Sequence, residues 1–296
     1  MFTRSAWLHL RIPFSYYLLP VFLFSLAVSP NFGEKSILWT FIIVHLFLYP
    51  ASNGYNSYFD KDEKSIGGLK NPPRVTKGLY YLSILFDLIA IVLAAIMLTI
   101  TFSIMVFIYG LISKAYSHPA IRLKKYPIIG WLTVSIFQGL FTFLMCYAGI
   151  NGYTVESLIR TPVIIPGLLS SILLLGTYPM TQVYQHEEDQ KRGDKTFSMM
   201  MGIRGTFYFV GGLFGFATLG FVFYFIKFFD IQYAYIFVLS LLPVVIFFMT
   251  WFLKVYRNDS NADHRNTMRL NFISATCLNA FFIYLFLNSS QVLQVF

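Results

Sequence analysis

Tyr49-Pro-Ala-Ser-Asn-Gly-Tyr-Asn-Ser-Tyr-Phe-Asp60 closes an apolar run with a polar face, and the pattern occurs twice. The second copy, Tyr178-Pro-Met-Thr-Gln-Val-Tyr-Gln-His-Glu-Glu-Asp189, follows at an offset of 129 residues. Both read Y-P-x-[ST]-[NQ]-x-Y-[NQ]-x-x-x-D. On a continuous helix Tyr49, Asn53, Asn56 and Asp60 fall at i, i+4, i+7 and i+11, which is one face. Tyr178, Gln182, Gln185 and Asp189 repeat that spacing. A polar stripe on an apolar helix is expensive in a bilayer and marks a site.

The surrounding composition makes the bilayer reading firm. Of 296 residues, 57% are apolar and only 12% charged, about half the charged share of a soluble domain. Nine apolar stretches are long enough to span, near 12–29, 36–58, 79–98, 100–118, 127–150, 162–184, 205–227, 232–254 and 269–288. The expected fold is all-α: a polytopic membrane protein, a nine-transmembrane-helix bundle forming one domain over 1–296. The stripe offset equals four helices, so 12–118 and 127–254 read as two four-helix pseudo-repeats of equal orientation, with helix nine, 269–288, appended.

Nineteen of the 22 basic residues fall on one side of that arrangement; only Lys35, Arg160 and Lys227 lie on the other. The positive-inside rule puts the N-terminus in the cytoplasm and the C-terminus outside. The net charge of +9 is therefore a topology signal. Divided among loops tied to a membrane, it argues against a nucleic-acid partner. Cys146 and Cys277 sit inside spans and read as apolar filler. Asp87, alone inside helix three, reads equally well as a paired structural acid or as part of a site.

Both stripes emerge at the cytoplasmic end, where two Asp-bearing helix ends can face one cavity. Asp60 and Asp189 are hard oxygen donors, and the amides of Asn56 and Gln185 add neutral ones. Such a set suits Mg2+, which keeps waters and takes substrate phosphate oxygens as remaining ligands. Lys70, Arg74, Lys114, Arg122, Lys124, Lys191 and Lys195 form a basic rim for a diphosphate. Asn53, Tyr116, Gln182, Glu188 and Asp194 are supporting candidates. Charged head and greasy bundle together point to a ligand with a diphosphate and a hydrocarbon tail.

These residues resemble the UbiA superfamily of intramembrane prenyltransferases. Asn56-Ser-Tyr-Phe-Asp60 is similar to the family's N-D-x-x-D-x-x-x-D motif on helix two. Tyr116-Ser-His-Pro-Ala-Ile-Arg-Leu-Lys124 resembles its Y-S-x-P-P-x-R-L-K loop after helix four. Gln185 to Thr196 resembles its D-x-x-x-D-x-x-x-G-x-x-T motif on helix six. The chain departs from these patterns at Ser57, Lys64 and Gln185, each in place of an aspartate. The resemblance implies a transferase that moves a polyprenyl group from a prenyl diphosphate to an aromatic, quinone-precursor-like or other lipophilic acceptor. It implies Mg2+ held by Asn56, Asp60, Gln185 and Asp189, which are then also the catalytic set, and a multi-pass protein of a bacterial cytoplasmic membrane. The alternatives are a non-catalytic isoprenoid-lipid-binding relative, given the missing carboxylates, and a secondary transporter.

Overall fold

The computed structural model describes residues 3–290, and among them there are helices and no strand. Nine helical stretches are long and apolar enough to cross a bilayer: α1 (Arg4–Ala27), α2 (Glu34–Asp60), α3 (Lys77–Met97), α4 (Ile100–Ser117), α5 (Pro127–Asn151), α6 (Thr161–Thr181), α7 (Phe197–Phe228), α8 (Ile231–Arg257) and α9 (His264–Ser289). The stretches read from the sequence correspond to these one by one. Consecutive spans pack on one another around a ring, α9 closes back on α1, and α1 also packs on α5.

The outer faces remain apolar. Ile96 and Ile100 are each 68% exposed and Phe223 69%, on surfaces far larger than a soluble monomer tolerates. The interior is aromatic: Phe24, Phe143, Phe221, Phe225, Phe281 and Phe282 are almost fully buried. Phe24 and Phe282 stack at a centroid distance of 4.6 Å, tying α1 to α9. The chain is a multi-pass integral membrane protein.

Several spans break where the sequence alone reads smooth helix. In α1, Arg11 takes a left-handed conformation (φ 48°) between an α-helix, Arg4–Leu10, and a 3-10 segment, Ile12–Leu18. In α2, a π-helical turn over Ile42–Leu48 precedes Pro50. The proline lacks an N–H, and the widened turn ahead of it relieves the clash with the preceding carbonyl row. The helix then runs unbroken from Tyr49 to Asp60, so the first stripe is one face, as its spacing predicts.

The second stripe is not. After Thr177 the chain tightens to a 3-10 segment, Tyr178–Thr181, turns through Gln182 to Gln185, and restarts as a short helix, His186–Lys191. Pro179 is again the breaker, and with no π turn ahead of it the helix is lost. Gln182 and Gln185 therefore do not share a helix face with Tyr178. α7 likewise starts at Phe197 with a non-helical Gly202 (φ 69°) near its base.

The segment between α2 and α3 folds back over the end of the bundle where α2 finishes and is ordered there. Arg11 Nη1 donates to Gly67 O (3.0 Å), Ser5 Oγ to Arg74 O (2.6 Å), and His9 Nε2 and His264 Nε2 meet Pro73 O and Ile66 O at 2.7 and 3.0 Å. Gly68 has φ +82°, and a Cβ there would meet the Phe14 ring at 3.0 Å, so a side chain is excluded by both conformation and space.

Candidate active site

The segment's fold makes a roof over a cavity of about 250 Å3 with charged groups in its wall, at that same end of the bundle. Its wall carries Asn56, Asp60, Asp62, Gln185, Asp189 and Asp194, together with Arg11, Lys124 and Arg192. The two stripes thus reach one cavity although only the first is a helix face. Three non-glycine residues have positive φ among the described ones, Arg11, Lys61 and Arg122, and each lines or flanks this cavity. Backbone strain of that kind persists where the surroundings hold it, often at a site.

On the α2 side, Asn56 Oδ1 accepts from Ser117 Oγ (2.7 Å) and from Lys124 Nζ (3.3 Å). Lys124 also pairs with Asp60, both largely buried. Lys124 is aimed by the Arg122 turn and the following 3-10 segment, Leu123–Lys125. The loop after α4 therefore carries one lysine, Lys124, into the site.

On the α6 side, Arg192 is the hub. Its Nη1 donates to Asp62, its Nη2 to Asp189, and its Nε to Asp194 at 3.4 Å. Asp194 is also gripped by Arg122 through Nε (2.8 Å) and Nη2 (2.9 Å) in a two-pronged pair, the strong form of an Arg–carboxylate contact. Gly193, with φ +74°, ends the short helix and turns Asp194 back to meet both arginines. Above them the exposed pair Lys64–Glu187 ties the roof segment to that helix.

These contacts set the protonation of the loop acids. Burial drives the Asp189 carboxyl up to about 7, with Arg192 opposing it. Burial and then the Asp60 charge raise Asp62. Burial also works against Asp194, but the Arg122 hydrogen bonds and nearby cations outweigh it and hold its carboxyl below the usual value. Arg192 loses solvent yet is held strongly protonated by Asp62, Asp60, Asp189 and Asp194.

Of the basic rim expected from the sequence, Lys124 lines the cavity and Arg122 acts on it through Asp194. Lys114 instead pairs with Asp87 and lies over the Tyr55 ring; an intramembrane acid is costly alone, and the lysine one helix away offsets it. Asp87 is thereby a structural acid. Lys70, Arg74, Lys191 and Lys195 are exposed and outside the cavity lining, because the roof and the short helix turn those side chains to water. Glu188 pairs with Lys191 at 3.5 Å. Gln182 Oε1 accepts from Ser198 N (3.2 Å), bracing the bend into α7. Asn53 Oδ1 accepts from Arg11 Nη2 at 3.4 Å. Arg11, Asp62 and Arg192 were not expected in the site; between Asp189 and Gly193 stand two basic residues, Lys191 and Arg192, and the expectation fell on Lys191.

A second cavity, about 630 Å3 and lined mostly by apolar side chains of α1, α6, α7, α8 and α9, lies beneath the first. Phe14, Asn53, Gln138, Tyr178 and Thr181 line both, and Tyr178 is hydrogen-bonded to Tyr116 at the junction. The Phe24–Phe282 stack lines the apolar chamber. The two cavities therefore adjoin, with these five residues between them.

The chain is similar to a UbiA homolog from Archaeoglobus fulgidus bound to GPP and Mg2+, with TM-score 0.64, 17% identity, and cover of 95% of this chain and 99% of the other. It is similar to an apo UbiA homolog from Aeropyrum pernix K1, with TM-score 0.70, 15% identity, and cover of 92% and 98%. A digeranylgeranylglyceryl phosphate synthase aligns with TM-score 0.60, 19% identity, and cover of 96% and 98%. At such identities the likeness establishes the fold. No curated protein matches the chain. The sequence model of the UbiA prenyltransferase family matches residues 17–273, and the chain accordingly belongs to that family, whose members transfer prenyl groups.

Proposed function

We propose that this protein moves a polyprenyl group from a prenyl diphosphate to a lipophilic acceptor, aromatic or otherwise. The diphosphate would occupy the polar cavity, and the tail the apolar one. The observation that carries this reading is that the two cavities adjoin at Phe14, Asn53, Gln138, Tyr178 and Thr181. A charged head beside a long apolar chamber describes an amphiphile with both properties.

The residues fit Mg2+ in donor chemistry. Asn56, Asp60, Gln185 and Asp189 offer hard oxygens in one cavity, and Asp189 Oδ2 is buried without a partner. Among the described residues no three acidic, histidine or cysteine side chains are arranged to hold an ion by themselves. An ion would therefore need the two amides and phosphate oxygens as well, which is the usual manner of Mg2+. When bound, it would supply Lewis-acid charge to the leaving diphosphate.

The chain's own part is the rest of the reaction. Lys124, Arg192 and Arg11 draw the diphosphate to the roof, and the Asn53–Gln138 neck aims its allylic carbon down toward the chamber. The allylic C–O bond breaks with its electron pair going to the diphosphate, where fixed cations offset the new charge. The ring faces of Phe14 and Tyr178 at the neck stabilise the allylic cation, and the apolar chamber keeps water from it. The acceptor's electron pair forms the new bond, and the acceptor then sheds a proton.

Labelled geranyl and geranylgeranyl diphosphates, Mg2+ and a panel of quinone-precursor and alcohol acceptors test the reading on protein in vesicles. Diphosphate release is expected to fall by about 100-fold or more in Asp60→Ala and in Asp189→Ala, the usual scale for removing one charge-stabilising group. Wild-type release that survives both substitutions sinks the assignment. The ion pairs on each cavity carboxylate favour one rival, a lipid-binding relative, which would bind the prenyl diphosphate without releasing diphosphate under any condition. In this reading the loops that roof the site face the cytoplasm, where the basic residues are concentrated.

A further inference from the structure

No charged residue lines the apolar chamber among the described ones, yet polar groups face into it, and most of them are already matched by the protein. Ser170, Thr177, Thr181 and Thr218 turn their hydroxyls onto Pro166 O, Leu173 O, Tyr178 O and Phe214 O. Asn53 is held by Arg11 and Tyr178 by Tyr116, and Gln138 lies against Tyr109. Tyr17 on α1 and Asn271 and Ser274 on α9 are the exceptions. Their side chains line the chamber with no hydrogen-bond partner among the described residues. Asn271 and Ser274 stand at i and i+3, on one face of α9. Their neighbours Phe272 and Thr276 take the Tyr16 ring and its hydroxyl (2.8 Å), which fixes α1 against α9 at this height and sets Tyr17 alongside. Met268, which lines the polar cavity, precedes Asn271 by three residues, about 4.5 Å along the helix. The three groups therefore begin one turn beyond the place where the cavities adjoin.

A carboxamide and two hydroxyls facing an apolar space inside a bilayer cost free energy until something hydrogen-bonds them. We infer that Tyr17, Asn271 and Ser274 seat the polar group of the acceptor, and that this acceptor is an uncharged hydroxyarene and not an aromatic carboxylate. The inference rests on the transferase reading above and names the class of its acceptor. Asn271 Oδ1 can accept from the acceptor's O–H, while its amide nitrogen and the two hydroxyls offer donors to the same oxygen. The ring that carries the hydroxyl would lie beside Phe14 and Tyr17, whose own rings meet edge to face at 5.0 Å. A carboxylate in this place would give up its hydration with no charge to replace it, which costs far more than burying a hydroxyl. The cations Arg11, Lys124 and Arg192 line the other cavity and not this one, so they serve the diphosphate. Tyr17, Asn271 and Ser274 select and position the acceptor and take no part in breaking the C–O bond.

Binding of three fluorescent naphthalenes tests the seat without turnover: 2-naphthol, 2-methoxynaphthalene, which lacks the O–H, and 6-hydroxy-2-naphthoate, which adds a carboxylate. Each is titrated against full-length protein in vesicles holding Mg2+ and geranyl thiolodiphosphate, whose C–S bond resists ionisation, with protein-free vesicles as the blank. Wild type is expected to bind 2-naphthol about 3- to 10-fold more tightly than its methyl ether, the scale of one hydrogen bond, and the carboxylate more weakly than either. Asn271→Leu is expected to abolish the preference for naphthol over ether, and Ser274→Ala and Tyr17→Phe to reduce it, all with the affinity for geranyl thiolodiphosphate unchanged. Wild type that binds no naphthol, or binds naphthol and ether equally, overturns the proposal. So does carboxylate binding as tight as that of naphthol, or a preference that survives in Asn271→Leu. Should that variant not fold, Ser274→Ala combined with Tyr17→Phe decides in its place. A preference lost in the variant, in a protein that releases no diphosphate with any acceptor, supports the seat and refutes the transferase reading.

Discussion

Asp189 carries the most unusual chemistry in the site. Its carboxyl is pushed up to about 7 by burial, Arg192 opposing, and its Oδ2 has no hydrogen-bond partner. A raised value means that the folded protein holds this proton more tightly than an exposed aspartate would. A divalent ion must displace it to bind there. Ion affinity is therefore expected to be level above about pH 7 and to fall as pH drops below it, by up to about tenfold per unit. In Asp189→Asn that dependence should vanish along with much of the affinity. Mn2+ titrations from mildly acidic to mildly alkaline pH measure it, and a flat wild-type profile contradicts the assignment. Asn56, Asp60 and Asp189 were legible in the sequence because each sits in a short stripe that closes an apolar span, and Arg122 and Lys124 because their loop resembles a family motif. Arg11 and Arg192 were not, since nothing local says which carboxylate a flexible basic side chain will meet.

At the level of helices, the breaks are what aim the side chains. α5 contains a π-helical segment, Phe137–Phe141, that leaves its backbone out of register. Ser171 of α6 repairs it: its Oγ accepts from Leu140 N (2.8 Å) and donates to Ser135 O (3.0 Å). That repair needs the two backbones in near contact, and Gly139 permits it. A Cβ at Gly139 would stand 2.5 Å from Ser171 Cα, a backbone atom that cannot step aside. Gly139→Ala is thus expected to force α5 from α6 and to cost about 1–3 kcal/mol of stability. The strain should reach Gln138 at the cavity neck. Thermal unfolding in detergent reads the loss, and an unchanged midpoint would contradict the close approach. The sequence places the span but not the break, since Phe137 to Phe141 carries no proline and a hydropathy profile is blind to hydrogen-bond register. The second stripe taught the same lesson: its residue types match the first copy, yet Pro179 without a preceding π turn dissolves the helix.

For the molecule as a whole, orientation is the open quantity that charge distribution predicts. If the positive-inside reading holds, Lys64→Cys in the roof is labelled by an impermeant maleimide only in inside-out vesicles, and Lys35→Cys only in right-side-out ones. The native Cys146 and Cys277, both within spans, should stay dark in either. Reversed labelling would turn the site to the opposite face and overturn the cytoplasmic assignment.

The nine spans, their order and the pairing of Asp60 with Asp189 at one end were written in the chain. In a bilayer every backbone polar group must be satisfied within its own helix, so hydropathy and length are local properties that translate directly into spans. The family motifs are local in the same sense. The roof over the cavity, the three acids held by Arg192 and the adjoining of the two cavities became visible in the folded molecule alone. They arise where loops distant in sequence cross: Arg11 meets Gly67 and Arg192 meets Asp62. Coulomb attraction in a partly buried site depends on separation and solvent exclusion, and neither quantity exists until the bundle has closed.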